Sequence, residues 1–199
     1  MKRGTLIGVV VVGLLVVLGG SCVMSYNRLV ALDQSVQAQW GQVENVYQRR
    51  ADLIPNLVET VKGAANFEKE TLIAVTEARA KVGQVSVGRD VVNDPAAFQK
   101  FQQAQDGLSG ALSRLLVVAE KYPELTATAG FRDLQAQLEG AENRVTTERM
   151  RFNEAAQAFN TKRNSFPTVL IAGLFGSKFN EKQFFHAQAG AEQAPKVKF

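Results

Sequence analysis

From Gly4 to Asn27 the chain carries no charge, and the run 5–24, TLIGVVVVGLLVVLGGSCVM, is apolar almost throughout. As a helix rising about 1.5 Å per residue, such a run covers roughly 30 Å, the thickness of a bilayer's hydrocarbon layer. A core helix of a globular domain fits poorly, because it would need apolar neighbours on every side of an N-terminal run that has no polar face. The run predicts a transmembrane anchor over residues 1–24. A signal segment is the alternative: residues 6–18 have signal-peptide length, and GGSC ending at Cys22 loosely resembles a lipoprotein processing site. Gly19 stands where that pattern favours leucine. Both readings leave the rest of the chain tethered. Lys2 and Arg3 precede the run, while only Arg28 and Asp33 closely follow it. That asymmetry predicts a single-pass protein of the cell membrane with its N-terminus in the cytoplasm and its domain outside.

Lys plus Arg outnumber Asp plus Glu by 23 to 19, but without Lys2 and Arg3 the margin beyond the anchor falls to 21 against 19. Nucleic-acid binders concentrate cations on one face, and no stretch here does so. Nucleic acid is therefore not an expected partner. Cys22 is the single cysteine, so an intramolecular disulfide and a cysteine-built metal site are excluded.

Beyond the anchor, apolar residues recur at threes and fours. Val36, Val43, Leu57 and Ala64 keep one seven-residue phase, and Trp40, Tyr47, Ile54 and Val61 keep an adjacent one. This stripe predicts one long helix running through Pro55, which would remove a backbone hydrogen bond at the carbonyl of Ala51 and kink the helix. A break capped by Asp52 is the alternative. Gly63 is the expected end, and Asn66 the expected cap of a second helix through Lys81. Residues 83–95 read as the main loop. A third helix carries Phe98, Phe101, Leu108, Leu112, Leu115, Ala119 and Tyr122 and ends at Pro123. The last runs from about Leu125 to Arg163, with Phe131, Leu138, Val145, Phe152 and Phe159 seven apart. The fold class is thus all-α: an elongated antiparallel up-and-down bundle of four helices over 25–165, coiled-coil-like in its repeat, preceded by the transmembrane helix.

Residues 166–199 differ: FPTVLIAGLFGSKF is apolar and aromatic, and the ending is looser. Four passes would bring this segment back to the lipid, with Phe166, Leu170, Ile171, Leu174 and Phe175 as lipid-contact candidates. Three passes, if Gly63 does not turn the chain, would put it at the far tip. A cap folded over the end of the bundle is an equally good reading.

Catalysis of the common kinds needs a nucleophile beside a base, paired carboxylates or a metal cage. His186 is the single histidine, too few for the Glu-x-x-His arrangement by which bundles hold two irons. Glu68, Glu70 and Glu77 are spaced as a solvated face, and no Gly-rich phosphate loop follows a strand. No catalytic, metal or cofactor site is expected. Arg50 and Glu148, in contrast, fall at apolar positions of their stripes. Arg50 is expected either to pair across the bundle with Glu142 or Glu148, or to reach the wet rim. Of the basic residues Arg144, Arg149, Arg151, Lys162 and Arg163, the last two complement a helix C-terminus, and all could face anionic headgroups in the four-pass arrangement.

YNRLVALDQSV (26–36), Trp40, QRRADLIPNLVETVKGAANFE (48–68), LSGAL (108–112), YPEL (122–125) and ENRVTTERMRFNEAAQAFN (142–160) resemble the LemA family. The resemblance covers nearly everything after the anchor, to the final P-x-V-x-F. It implies a bacterial, membrane-anchored helical bundle of the cell envelope. Phe67 stands where the family commonly has histidine, which removes any metal role for that position beside Glu68. Family members have been linked to envelope processes, to gene neighbourhoods with membrane proteases and, in one branch, to organelle membranes. The segments holding Arg49, Arg50, Asp52, Pro55 and Asn56, and Glu142, Asn143, Arg144 and Glu148, are the candidate interaction or structural motif. Two functions follow as expectations: a non-catalytic interaction or scaffold protein with an envelope protein partner, a membrane protease being one candidate, or a lipid-contacting, membrane-shaping protein acting through the C-terminal apolar segment and the basic helix end.

Overall fold

The computed structural model describes residues 3–63, 67–85 and 88–186, all helix, turn or extended chain, with no strand among them. The first helix, α1 (Arg3–Lys62), joins the apolar run to the first bundle helix without a break. It passes through Pro55 and stops beside Gly63, in a turn. The proline's cost is visible one turn back: the Ala51 carbonyl, deprived of its helical donor, accepts from Nε of Arg79 at 3.3 Å.

The second helix, α2 (Lys69–Gln84), starts later than expected, behind Glu68, whose side chain makes no capping bond. Asn66 lies outside the described residues. Within the expected loop 83–95, of which residues 86 and 87 lie outside the described residues, α2 runs on to Gln84 and a 3-10 turn, Arg89–Asn93, buries Val91 and Val92. Asp94 then caps α3 (Pro95–Ala119), its carboxylate accepting from the amides of Ala96 and Ala97 at 2.9 and 3.2 Å, with Pro95 in the first turn. Pro123 does not simply end this helix; α3 stops at Ala119, and Pro123 opens a separate turn, α4 (Pro123–Thr126). Consequently the last long helix, α5 (Ala129–Asn164), begins after Leu125, with the Thr128 hydroxyl accepting from the Phe131 amide. Its 36 residues give a length of about 54 Å.

The passes alternate in direction. Arg50 meets Glu142, Trp40 meets Phe152, and Tyr26 lies beside Phe179, so α5 returns antiparallel to α1. Glu68 faces Lys121 while Lys81 shares a groove with Gln103, so α2 and α3 are antiparallel as well. Four passes therefore bring residue 165 back to the level at which α1 leaves its apolar run. There the chain forms α6 (Thr168–Leu174) and a 3-10 turn, Gly176–Phe179, and then runs extended to residue 186.

Two cores result. The membrane-proximal core is aromatic, built on Trp40, Phe98, Phe101, Phe152, Phe159 and Phe185. The distal core is mostly aliphatic, with Ile54, Leu57, Leu108, Leu112, Leu115 and Leu138.

Candidate functional site

Between the two cores lies a polar layer. Arg50 is fully buried, and its Nη1 donates to Glu142 Oε1 and Ser109 Oγ, both at 2.7 Å, while Nη2 donates to the side-chain oxygen of Gln105. Of the two carboxylates offered by the sequence, Glu142 is the partner. Glu148 instead accepts from Arg151 one turn along its own helix. Arg149 extends the layer, donating to Tyr47 Oη at 2.5 Å and to Asp106 at 2.9 Å, with its guanidinium 4.9 Å from the Phe185 ring. Burial pushes the Tyr47 phenol above its ordinary range, with the neighbouring Arg149 cation working against that rise.

The rest of the motif does not converge. Arg49, Asp52, Pro55 and Asn56 are exposed on α1, as are Asn143 and Arg144 on α5. Asp52 only accepts from Gln48 on its own helix. The histidine, His186, is exposed, and its carbonyl accepts from Gln102.

At the membrane-proximal end the candidates divide. Phe166, Leu170 and Leu174 are 81, 61 and 83% exposed, and Phe175 is 49% exposed. Leu170 and Leu174 are four apart on α6 and share its outward face, and Phe166 stands exposed in the turn just before the helix. Ile171 is buried and belongs to the bundle side of α6, so it is not a surface residue. Phe175 in turn packs on Tyr26, ring centroids 4.9 Å apart, two residues beyond the apolar run. Lys178 sits 4.9 Å over the same ring.

The sequence reading missed an extended strap, residues 180–186, that closes the proximal core. Asn160 and Asn153 each grip its backbone with two bonds of 2.9 Å: the amide nitrogens donate to the carbonyls of Lys182 and Phe185, and the amide oxygens accept from the same residues' N–H groups. The spacings agree, since seven helical residues and three extended ones both cover about 10 Å. Phe185 enters the aromatic core, 4.9 Å from Phe98 and 5.5 Å from Phe152. Lys182, 1% exposed, bonds Asp33 at 2.5 Å and Asn93 at 2.6 Å and lies 4.7 Å from the Phe159 ring. A buried ammonium needs such partners. Two asparagines seven apart in mid-helix, where their propensity is poor, were the available signal.

An uncharged rod whose large apolar side chains stand exposed, continuous with a packed bundle, is the architecture of a membrane-associated helical-bundle protein. The chain belongs to the LemA family, whose model matches residues 39–199. It is 25% identical to magnetosome protein MamQ 2 of Paramagnetospirillum magneticum, over 92% of this chain and 75% of that one. To magnetosome protein MamQ of Magnetospirillum gryphiswaldense it is 23% identical, over 85% and 67%. To protein LemA of Metamycoplasma hominis it is 24% identical, over 73% of this chain and 63% of that one. The final P-x-V-x-F that the family resemblance included lies outside the described residues.

Proposed function

We propose that this protein is a non-catalytic, single-pass membrane protein of the cell envelope whose bundle stands on the bilayer at two points, α1 crossing it and α6 lying on its surface. The observation that carries this reading is the exposed apolar group of Phe166, Leu170 and Leu174, with Phe175 against Tyr26 at the end of the apolar run. Contiguous exposed apolar groups are costly in water and cost little at an acyl boundary. Two points of contact fix the tilt of the rod, and so hold the distal end at a set height for a protein partner. A membrane protease is one candidate for that partner. The excess of cations before the anchor supports an extracytoplasmic bundle.

Nitroxides placed singly at Leu170 and Leu174 of the full chain in lipid bilayers test it. Both are expected to be accessible to oxygen and shielded from a water-soluble relaxation agent. Accessibility to the aqueous agent equal to that of a label on exposed Arg144 would overturn the second contact.

A further inference from the structure

The α6 contact occupies one flank of α1, toward which Tyr26 and Asp33 turn; Arg28 and Leu32 turn to the other. On that second flank an open groove of about 470 Å³ runs between α1 and α5, lined among others by Arg28, Leu32, Glu154, Gln157, Thr161 and Lys162. Neither Arg28 nor Lys162 has a carboxylate partner among the described residues, whereas Arg50, Arg149, Arg151 and Lys182 each have one. Cations left unpaired in a groove await an anion. Their height identifies which. Arg28 follows the last residue of the apolar run, Met24, by one helical turn, about 6 Å, which places it within the headgroup layer rather than above it.

We propose that this groove binds the phosphate of an anionic phospholipid headgroup between Arg28 and Lys162, with Thr161 beside it as a hydroxyl donor. A soluble phosphate would gain nothing from the groove's position at the bilayer surface. Glu154 closes the site on the far side: it lies eight residues from Lys162 along α5, about 12 Å further from the membrane, and repels an anion that climbs. Two cations at the mouth and one carboxylate at the top orient a headgroup that enters from below. The proposal rests on the bundle standing on the bilayer through α6, and adds to it a chemical preference for the lipid on the opposite flank.

The test uses the full chain in phosphatidylcholine bilayers carrying a trace of photoreactive phosphatidylglycerol or, separately, photoreactive phosphatidylcholine, with cross-links mapped by mass spectrometry. Phosphatidylglycerol is expected to label residues 28–32 and 157–165 several-fold more than phosphatidylcholine. Arg28→Gln and Lys162→Gln should each lower that excess by about fivefold, the effect of one cation near a charged surface. Labelling of α6 should stay unchanged in both variants. Glu154→Gln, at an exposed residue, should move the excess the opposite way. Equal labelling by the two lipids, or an excess insensitive to both cation substitutions, would overturn the groove assignment. Competition by millimolar inorganic phosphate at constant ionic strength would overturn the lipid assignment in favour of a soluble anion. Failure of both probes to label α6 would instead overturn the two-contact reading, so the two failures are told apart.

Discussion

The two ends of the bundle are built from the same four passes but closed by different means. The distal half is a mostly aliphatic core of residues spaced by the helical repeat, Leu57, Leu108, Leu112, Leu115 and Leu138 among them, with the Phe67 and Tyr122 rings packed over it from outside the helices. The proximal half holds large rings, Trp40, Phe98, Phe101 and Phe152, which four helices alone leave uncovered on one side. The strap supplies the missing wall with Phe185 and Lys182. Regular helix packing thus covers most of a core whose side chains are small and similar, whereas the aromatic core takes a whole non-helical segment whose backbone must itself be hydrogen-bonded.

The largest effect is expected from Phe185→Ala, which removes the ring at the centre of that wall. Large-to-small changes of this kind cost about 3–5 kcal/mol. Amide exchange in the full chain should show protection lost at Lys182 and across the proximal parts of α1 and α5, with the amides around Leu112 and Leu138 little changed. Uniform loss over both halves would refute the claim that the strap closes one core alone.

The polar layer between the halves gives the next effect. Arg50 is fully buried, while the Glu142 side chain is 40% exposed. Glu142→Ala therefore strands a buried cation and should cost about 2 kcal/mol, less than a wholly buried pair because one end is wet. Arg50→Met leaves a carboxylate that can turn to water, and combined with Gln105→Leu, which removes the buried acceptor it would strand, should change stability by less than about 1 kcal/mol. Thermal melting of the two full-length variants in the same detergent checks the asymmetry. Equal losses would show that the layer's energy does not reside in the buried end.

How far the sequence revealed these regions follows from their physics. Seven-residue stripes made the four passes legible, and a charge at an apolar stripe position marked Arg50 and narrowed its partner to two carboxylates. The exposed α6 residues were visible as an apolar segment, but their orientation was not, because Ile171 and Leu170 are adjacent in sequence and opposite in exposure. Helix ends were displaced wherever a proline could either stop one helix or start another, as Pro123 does. The strap was illegible for a different reason: it has no periodicity, and the residues that hold it, Asn153 and Asn160, sit on a helix 22 to 32 residues away. Of the groove cations, Lys162 is legible in the sequence as a headgroup or helix-dipole partner and Arg28 only as a charge flanking the apolar run, and only the fold separates Lys162 from Arg163, whose Nε donates to the Phe179 carbonyl.

The smallest expected effect concerns the edge where the polar layer meets the aromatic core. Tyr47 is raised above its ordinary range chiefly by burial, with Arg149 opposing. A phenol whose folded pKa exceeds its unfolded value near 10 contributes stability that is complete below about pH 10 and is lost as pH rises through the folded value, because the unfolded chain releases the proton first. Melting temperature should therefore be flat with respect to this group from about pH 7 to 9 and fall above about pH 10. Tyr47→Phe removes that titration while keeping the ring against Phe101, 5.3 Å away. It also leaves Arg149 with Asp106 alone as its strong acceptor, at a cost of about 1 kcal/mol at neutral pH. The variant should start lower and decline less steeply in alkali than the parent. Parallel curves above pH 10 would mean that the Tyr47 phenol does not carry the alkaline loss, and would move the sensitive point away from the polar layer.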